Sequence, residues 1–201
     1  MGIYTISQIV KMGTYESLLR VDSAIGILFL LSCIFNVLWI FSWHNLRFGL
    51  SLLWMLLLLV SLIIINVRLR IVPGVSVSER LTVYGFNIYL GWIAVATIAN
   101  ISVLLVKIGW SGFGLSSVIW TLIALATGTI LGICFIMVGR RYFAACAIIW
   151  AFIGILVKHI SSTNPDRSPA IAIGAVAGIA VILAFMIVSA INLSLQDIYS
   201  R

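Results

Sequence analysis

The stretch that decides the fold is Asn87-Ile88-Tyr89-Leu90-Gly91-Trp92-Ile93-Ala94-Val95-Ala96-Thr97-Ile98-Ala99-Asn100. It lies inside a long apolar run, yet carries two amides, a phenol, an indole and a threonine. In hydrocarbon a polar side chain is costly without a partner, so such groups face a bundle interior or a cavity. Helical spacing gathers Tyr89, Trp92, Ala96 and Asn100, separated by three, four and four residues, on one face.

The surrounding chain sets the solvent. It has 201 residues, of which 63% are hydrophobic and 8% charged, with a mean hydropathy of +1.26. Soluble domains are about half apolar and about a quarter charged, so this composition defines an integral membrane protein. The expected fold class is an all-α polytopic bundle of about six transmembrane helices, a single membrane domain over residues 1–201. Net charge is +7; in a membrane protein this reads as topology signal and attraction to anionic lipid. The basic residues form no run, which argues against nucleic acid as a partner. Cys33, Cys134 and Cys146 lie in apolar segments without metal-ligand spacing and read as small buried apolar residues. No cleavable signal peptide is evident.

Outward from the quoted stretch, the spans run from about 22 to 43, 48 to 67, 83 to 106, 117 to 138, 142 to 160 and 169 to 191. Residues 1–21 are mixed, and 3–10 read as the tail of a helix or an interfacial segment. In the first span Ser32, Asn36, Trp39 and Trp43 form a second polar-aromatic face. The second span, rich in leucine and isoleucine, reads as lipid-facing. The loop 68–82 holds Pro73 and Gly74, and the link 161–168 holds Asn164-Pro165-Asp166. Small-residue stripes, Ala124/Gly128/Gly132 in the fourth span and Ala170/Gly174/Gly178 in the sixth, allow close helix approach. Six spans put both termini on one side. That side carries eight basic residues and the other four, which places both termini in the cytoplasm.

No phosphate-binding glycine loop, His-x-x-x-His or Gly-x-Ser-x-Gly occurs, so no catalytic residue is assigned and the chain does not read as an enzyme. The five acidic residues sit at span ends, loops or termini, which argues against an intramembrane carboxylate relay. His44 and His159 fall on the same side and could jointly hold a metal or haem iron; the simpler reading places each at the headgroup level, and no metal ligand is assigned. Trp150, Gly154 and Lys158 share a face of the fifth span, and Lys158 beside His159 suits a carboxylate-bearing ligand better than a cation. Trp43, Trp150, Lys158 and His159 are secondary binding candidates. For Asn36 and Asn100 the simpler reading is helix glue, about 1 kcal/mol each. The functional reading is an aromatic-walled cavity for a planar, mostly apolar ligand.

Two motifs carry a family resemblance. Asn36-Val37-Leu38-Trp39, followed by Phe41 to Gly49 and a leucine-rich span, resembles the third and fourth helices of the tryptophan-rich sensory protein/translocator protein (TspO/MBR) family. Tyr89 to Asn100 is similar to that family's fifth-helix pattern, Tyr-Leu-x-Trp-x-x-x-Ala-x-x-x-Asn. The resemblance covers about residues 25–106 and divides the chain into a family-like part (22–107) and three additional spans (108–201). It implies a helical bundle, often a homodimer, that binds porphyrins or other hydrophobic small molecules in the membrane of a prokaryotic cell. It further implies a ligand site at Asn36, Trp39, Tyr89, Trp92, Ala96 and Asn100, with a porphyrin-type ligand as the only cofactor-like partner. The family's first two helices and their Trp-x-Pro-x-Gly loop have no counterpart here, so the resemblance implies an N-terminally shortened form. Two other functions stay open: a transporter or transporter subunit, and a helix-packing partner in a membrane complex.

Overall fold

In the structure, a computed structural model, residues 15–71, 77–161 and 167–199 are described. The segments expected at residues 3–10, Pro73-Gly74 and Asn164-Pro165-Asp166 lie outside them. The elements are α1 (Tyr15–His44), α2 (Phe48–Ile71), α3 (Val77–Lys107), a 3-10 turn (Gly112–Gly114), α4 (Ser117–Gly139), α5 (Tyr142–Ile160) and α6 (Pro169–Tyr199). All six α-helices are long and apolar enough to cross a membrane. Hydrocarbon offers no water to satisfy backbone groups, so a span must pair its own N–H and C=O groups, as helices do. α1, α3 and α6 run longer than hydropathy alone predicts. Hydropathy marks the segment that must avoid water, and nothing at that boundary forbids the helix from continuing. The chain forms two compact units, residues 1–108 and 109–201.

In the first unit α2 packs against both α1 and α3. The expectation that α2 faces lipid therefore holds for one side of the helix only, the side on which Leu53, Leu56, Val60 and Val67 are exposed. Met55, Leu58, Leu62 and Ile65 are fully buried, and so is Ser51. A leucine-rich surface suits lipid tails and a helix partner equally, so composition does not separate the two. The distinguishing marks are polar: Ser51, Ser61 and Asn66 are all buried, and Asn66 Nδ2 donates to the Phe86 carbonyl of α3 at 3.2 Å. Rings add register. Phe35 stacks on Trp54 of α2, with centroids 6.1 Å apart, and Phe29 meets Phe86 of α3 edge-on at 6.2 Å. The α1–α2 reversal is tight, with Leu46 in the left-handed region (φ 55°) and the Arg47 N–H donating to the Ser42 carbonyl at 2.9 Å.

In the second unit α4, α5 and α6 all touch one another, and the small-residue stripes are where they do so. The Phe152 ring of α5 is wedged between Gly128 of α4 and Gly178 of α6. A methyl group on Gly128 would lie 2.9 Å from Phe152 Cζ, and one on Gly178 2.6 Å from Phe152 Cε2 and 2.7 Å from Thr129 Oγ1. Gly132 receives Ile182, and Gly174 receives Leu122, in the same manner. Without a hydrophobic push between helices in lipid, such close fit is what holds them. Tyr142 and Ser189 add a hydroxyl pair at 2.8 Å between α5 and α6.

The wedge sets a prediction. Phe152 cannot retreat from Gly178 without striking Gly128, so Gly178→Ala should destabilise by about 1–3 kcal/mol through overpacking. Gly154→Ala, whose added methyl meets nothing within 4 Å, should leave stability unchanged or raise it. Denaturation in a mild detergent, with both variants beside the parent, reads the contrast. Equal stability of the two would contradict the wedge.

Candidate functional site

The inward arc of α1 repeats every seven residues through Ile25, Ser32 and Trp39, and Ile25 and Ser32 are fully buried. Ser32 is self-contained, its hydroxyl donating to the Phe29 carbonyl at 2.7 Å. Trp39 is different. Its ring is half-buried, while its Nε1 is enclosed and has no hydrogen-bond partner among the described residues. An indole N–H is a donor only, and leaving a buried donor unpaired costs about 1–3 kcal/mol. Asn36, one turn earlier, and Trp43, one turn later, are half-buried. Trp43 meets Phe48 edge-on at 5.3 Å across the reversal.

On α3 the four residues of the expected face part company. Asn100 is buried, and its Oδ1 accepts from Ser51 Oγ of α2 at 3.2 Å. Tyr89 and Ala96 are half-buried, and Trp92 is 48% exposed. The packed arc runs instead through Phe86, Leu90, Ile93, Thr97 and Asn100. Tyr89 and Ala96 flank that arc, and Trp92 stands off it. Asn100 therefore serves as a cross-helix strut at this position, the simpler of its two sequence readings.

Ring contacts fix relative depth. Four residues along α1 from Phe35 is Trp39, and three residues back along the returning α2 from Trp54 is Ser51. At about 1.5 Å per residue, Trp39 and the Ser51–Asn100 bond lie at similar depth. Trp39 and Asn100 thus belong to the same three-helix unit at a common level, with Asn36 about one turn away along α1, while Trp92 adds an exposed aromatic surface from α3.

The secondary candidates are scattered. Trp43 closes the α1–α2 turn. Beside it, His44 Nδ1 donates to the Ile40 carbonyl at 3.0 Å, and Asn45 Nδ2 donates to the Phe41 carbonyl at 2.8 Å, which also accepts the Asn45 backbone N–H. Trp150 and Lys158 are exposed on α5 of the second unit. His159 Nδ1 accepts from the backbone N–H of Ser168 at 3.1 Å, tying the end of α5 to the start of α6; this fixes the proton of the neutral ring on Nε2. Among the described residues, no group of three His, Cys, Asp or Glu side chains could hold a metal ion.

Sequence reasoning missed Ser51 and Asn66 as fold-defining residues. Their signal was available: each is a polar group inside a leucine-rich span, Ser51 in its first turn and Asn66 in its last third, where it needs a protein partner. The Asn87 carboxamide, one of the two amides of the opening stretch, is buried as expected of it; its Nδ2 donates to the Val83 carbonyl at 2.7 Å and its Oδ1 has no partner among the described residues.

Six membrane-length helices in two three-helix units, with polar side chains turned between helices, define a polytopic α-helical membrane protein. The chain belongs to the TSPO-like protein family, whose model matches residues 1–188. The match takes in the second unit as well as the 25–106 segment on which the motif resemblance rests. No curated protein and no solved structure matches the chain.

The Ser51–Asn100 bond gives a second prediction. In a double-mutant cycle with Ser51→Ala and Asn100→Ala, the coupling energy should be about 0.6 kcal/mol and no more than about 1.7 kcal/mol, the range for interhelical hydrogen bonds in membranes. Additive effects in detergent unfolding would show that the bond contributes nothing.

Proposed function

We propose that this TSPO-like membrane protein binds a planar, largely apolar small molecule of tetrapyrrole type on the first unit, with Asn36, Trp39, Tyr89, Trp92, Ala96 and Asn100 as its ligand-binding residues. The observation that supports this most directly is the enclosed, unpaired Trp39 N–H. A ligand bearing a carbonyl or carboxylate supplies the acceptor that this donor lacks, while its ring system takes up aromatic surface. Trp92 supplies such surface, exposed on α3, and offset stacking between aromatic planes favours flat ligands.

The roles divide within the set. Trp39 orients the ligand through its N–H. Trp92 and Tyr89 provide apolar area, Ala96 keeps the surface shallow, and Asn36 offers a further polar contact. Asn100, already engaged with Ser51, holds the α2–α3 geometry and contributes through its remaining amide hydrogens. Trp43, Trp150, Lys158 and His159 take no part in this reading. The distribution of Lys and Arg supports cytoplasmic termini and a cell-membrane location. The packing-partner alternative loses support, because Gly128, Gly132, Gly174 and Gly178 already receive side chains of their own unit.

The test separates the N–H from the ring. Trp39→Phe keeps an aromatic ring and removes the donor, which should weaken tetrapyrrole binding by about tenfold, the value of roughly 1.4 kcal/mol for one hydrogen bond to an otherwise unsatisfied group. Trp92→Ala should weaken it further by removing stacking area. Binding is read from the tetrapyrrole's own absorbance in detergent or nanodiscs, so that loss of a tryptophan does not alter the signal. Full affinity in the combined variant would eliminate this site.

A further inference from the structure

The connection between α3 and α4 is short and unusually built. It joins a span ending at Lys107 to one beginning at Ser117, so it cannot travel far from the membrane surface. Between Gly109 and Ser117 the sequence is Gly-Trp-Ser-Gly-Phe-Gly-Leu-Ser-Ser, with no charged residue. Four of its residues have left-handed backbone: Gly109 (φ 70°), Gly112 (φ 63°), Phe113 (φ 53°) and Gly114 (φ 77°). Glycine adopts this conformation freely, but phenylalanine rarely does.

Phe113 is held there by what lies beneath it. The Gly112 carbonyl accepts twice, from the Leu115 N–H at 3.0 Å and from Trp120 Nε1 of α4 at 3.0 Å. Trp110 packs against Trp120, centroids 4.7 Å apart, and meets Phe113 edge-on at 5.3 Å. A methyl group on Gly112 would lie 2.8 Å from Trp120 Nε1, so only glycine allows the indole this close. The base is rigid and the tip is bare: Phe113 is 81% exposed and Leu115 44%.

We propose that the 109–115 turn is a preformed membrane-inserting element, which seats the Phe113 ring at the headgroup–acyl boundary of the leaflet it faces. The partner is a lipid surface. A neutral tip with an exposed phenylalanine and leucine gains by leaving water, and the paired tryptophans beneath it have the amphipathic character that favours the interface. The Trp120–Gly112 bond holds the turn in the inserting shape before lipid is met, so ordering cost is not incurred on insertion. This inference is independent of the ligand site proposed on the first unit.

The full chain with Cys33, Cys134 and Cys146 changed to alanine tests it. Phe113→Cys is labelled with an environment-sensitive fluorophore, and Ser116→Cys with the same label is the reference. Both are placed in phosphatidylcholine nanodiscs that contain a doxyl-labelled phosphatidylcholine. The label at 113 should lose most of its emission to the doxyl lipid and little to aqueous iodide. The label at 116 should be the more sensitive to iodide. Adding Trp120→Phe, which removes the indole N–H but keeps a ring, should shift the 113 label towards iodide. Quenching of the 113 label by iodide alone would place the tip in water, and quenching by neither agent would place it under protein. Either result overturns the proposal.

Discussion

Inside hydrocarbon an unpaired amide or hydroxyl has no water to turn to, and that constraint organises the first unit. Asn66 of α2 reaches the Phe86 carbonyl, and Ser51 of the same helix reaches Asn100 of α3. These two bonds sit toward opposite ends of α2 and fix its rotation against α3. Where a hydroxyl has no partner on another helix, it folds back on its own: Ser61 donates to the Leu57 carbonyl and Thr97 to the Ile93 carbonyl. Such back-bonding satisfies the donor without specifying a neighbour. The cross-helix bonds carry register, and the local ones permit burial.

The second unit meets the same constraint differently. Its glycines open grooves in α4 and α6, and bulky side chains fill them. Phe152 lies between Gly128 and Gly178, Ile182 against Gly132, and Leu122 against Gly174. The contacts are close, and their energy is dispersion summed over many atoms at short range. Polar links accompany them, among them the Tyr142–Ser189 pair and the Ser168 N–H that donates to His159 Nδ1. Buried cross-helix hydrogen bonds from α2 mark the first unit, and side chains fitted against glycines mark the second.

This difference explains what could be read from the sequence. The six spans were legible because length and hydropathy report directly on the solvent, and the glycine stripes were legible because small residues at four-residue spacing have one physical use in a span. The packed side of α2 was not. Met55, Leu58, Leu62 and Ile65 are chemically as fit for lipid as for a helix partner, and only Ser51, Ser61 and Asn66 betray the packed side. The candidate site was half legible. Periodicity placed Tyr89, Trp92, Ala96 and Asn100 on one arc, but a period carries no information on where neighbouring helices lie. The packed arc through Phe86, Leu90, Ile93 and Thr97 is rotated from it by about one residue position, roughly 100°. Asn100 falls inside the packed arc and Trp92 outside it.

That rotation separates stability from recognition among residues that look equivalent in sequence. A polar group already paired within the fold has little free energy to offer a ligand, since binding must replace a bond that exists. Asn100 has made that choice through Ser51. Trp39 has not: it lies on the inward seven-residue repeat with Ile25 and Ser32, at the depth of the Ser51–Asn100 bond, and its N–H is enclosed without an acceptor. Ser32, on the same repeat, answers its own donor through the Phe29 carbonyl, a solution the rigid indole cannot copy because its N–H cannot bend back to its own helix turn. A donor held in that position lowers stability for as long as it stays unpaired, and an acceptor that reaches it recovers the deficit as binding energy. The asymmetry between two polar groups at one depth, one with its oxygen engaged across helices and one whose donor has no acceptor, is the physical reason to look for recognition first at Trp39 and chiefly for structure at Asn100.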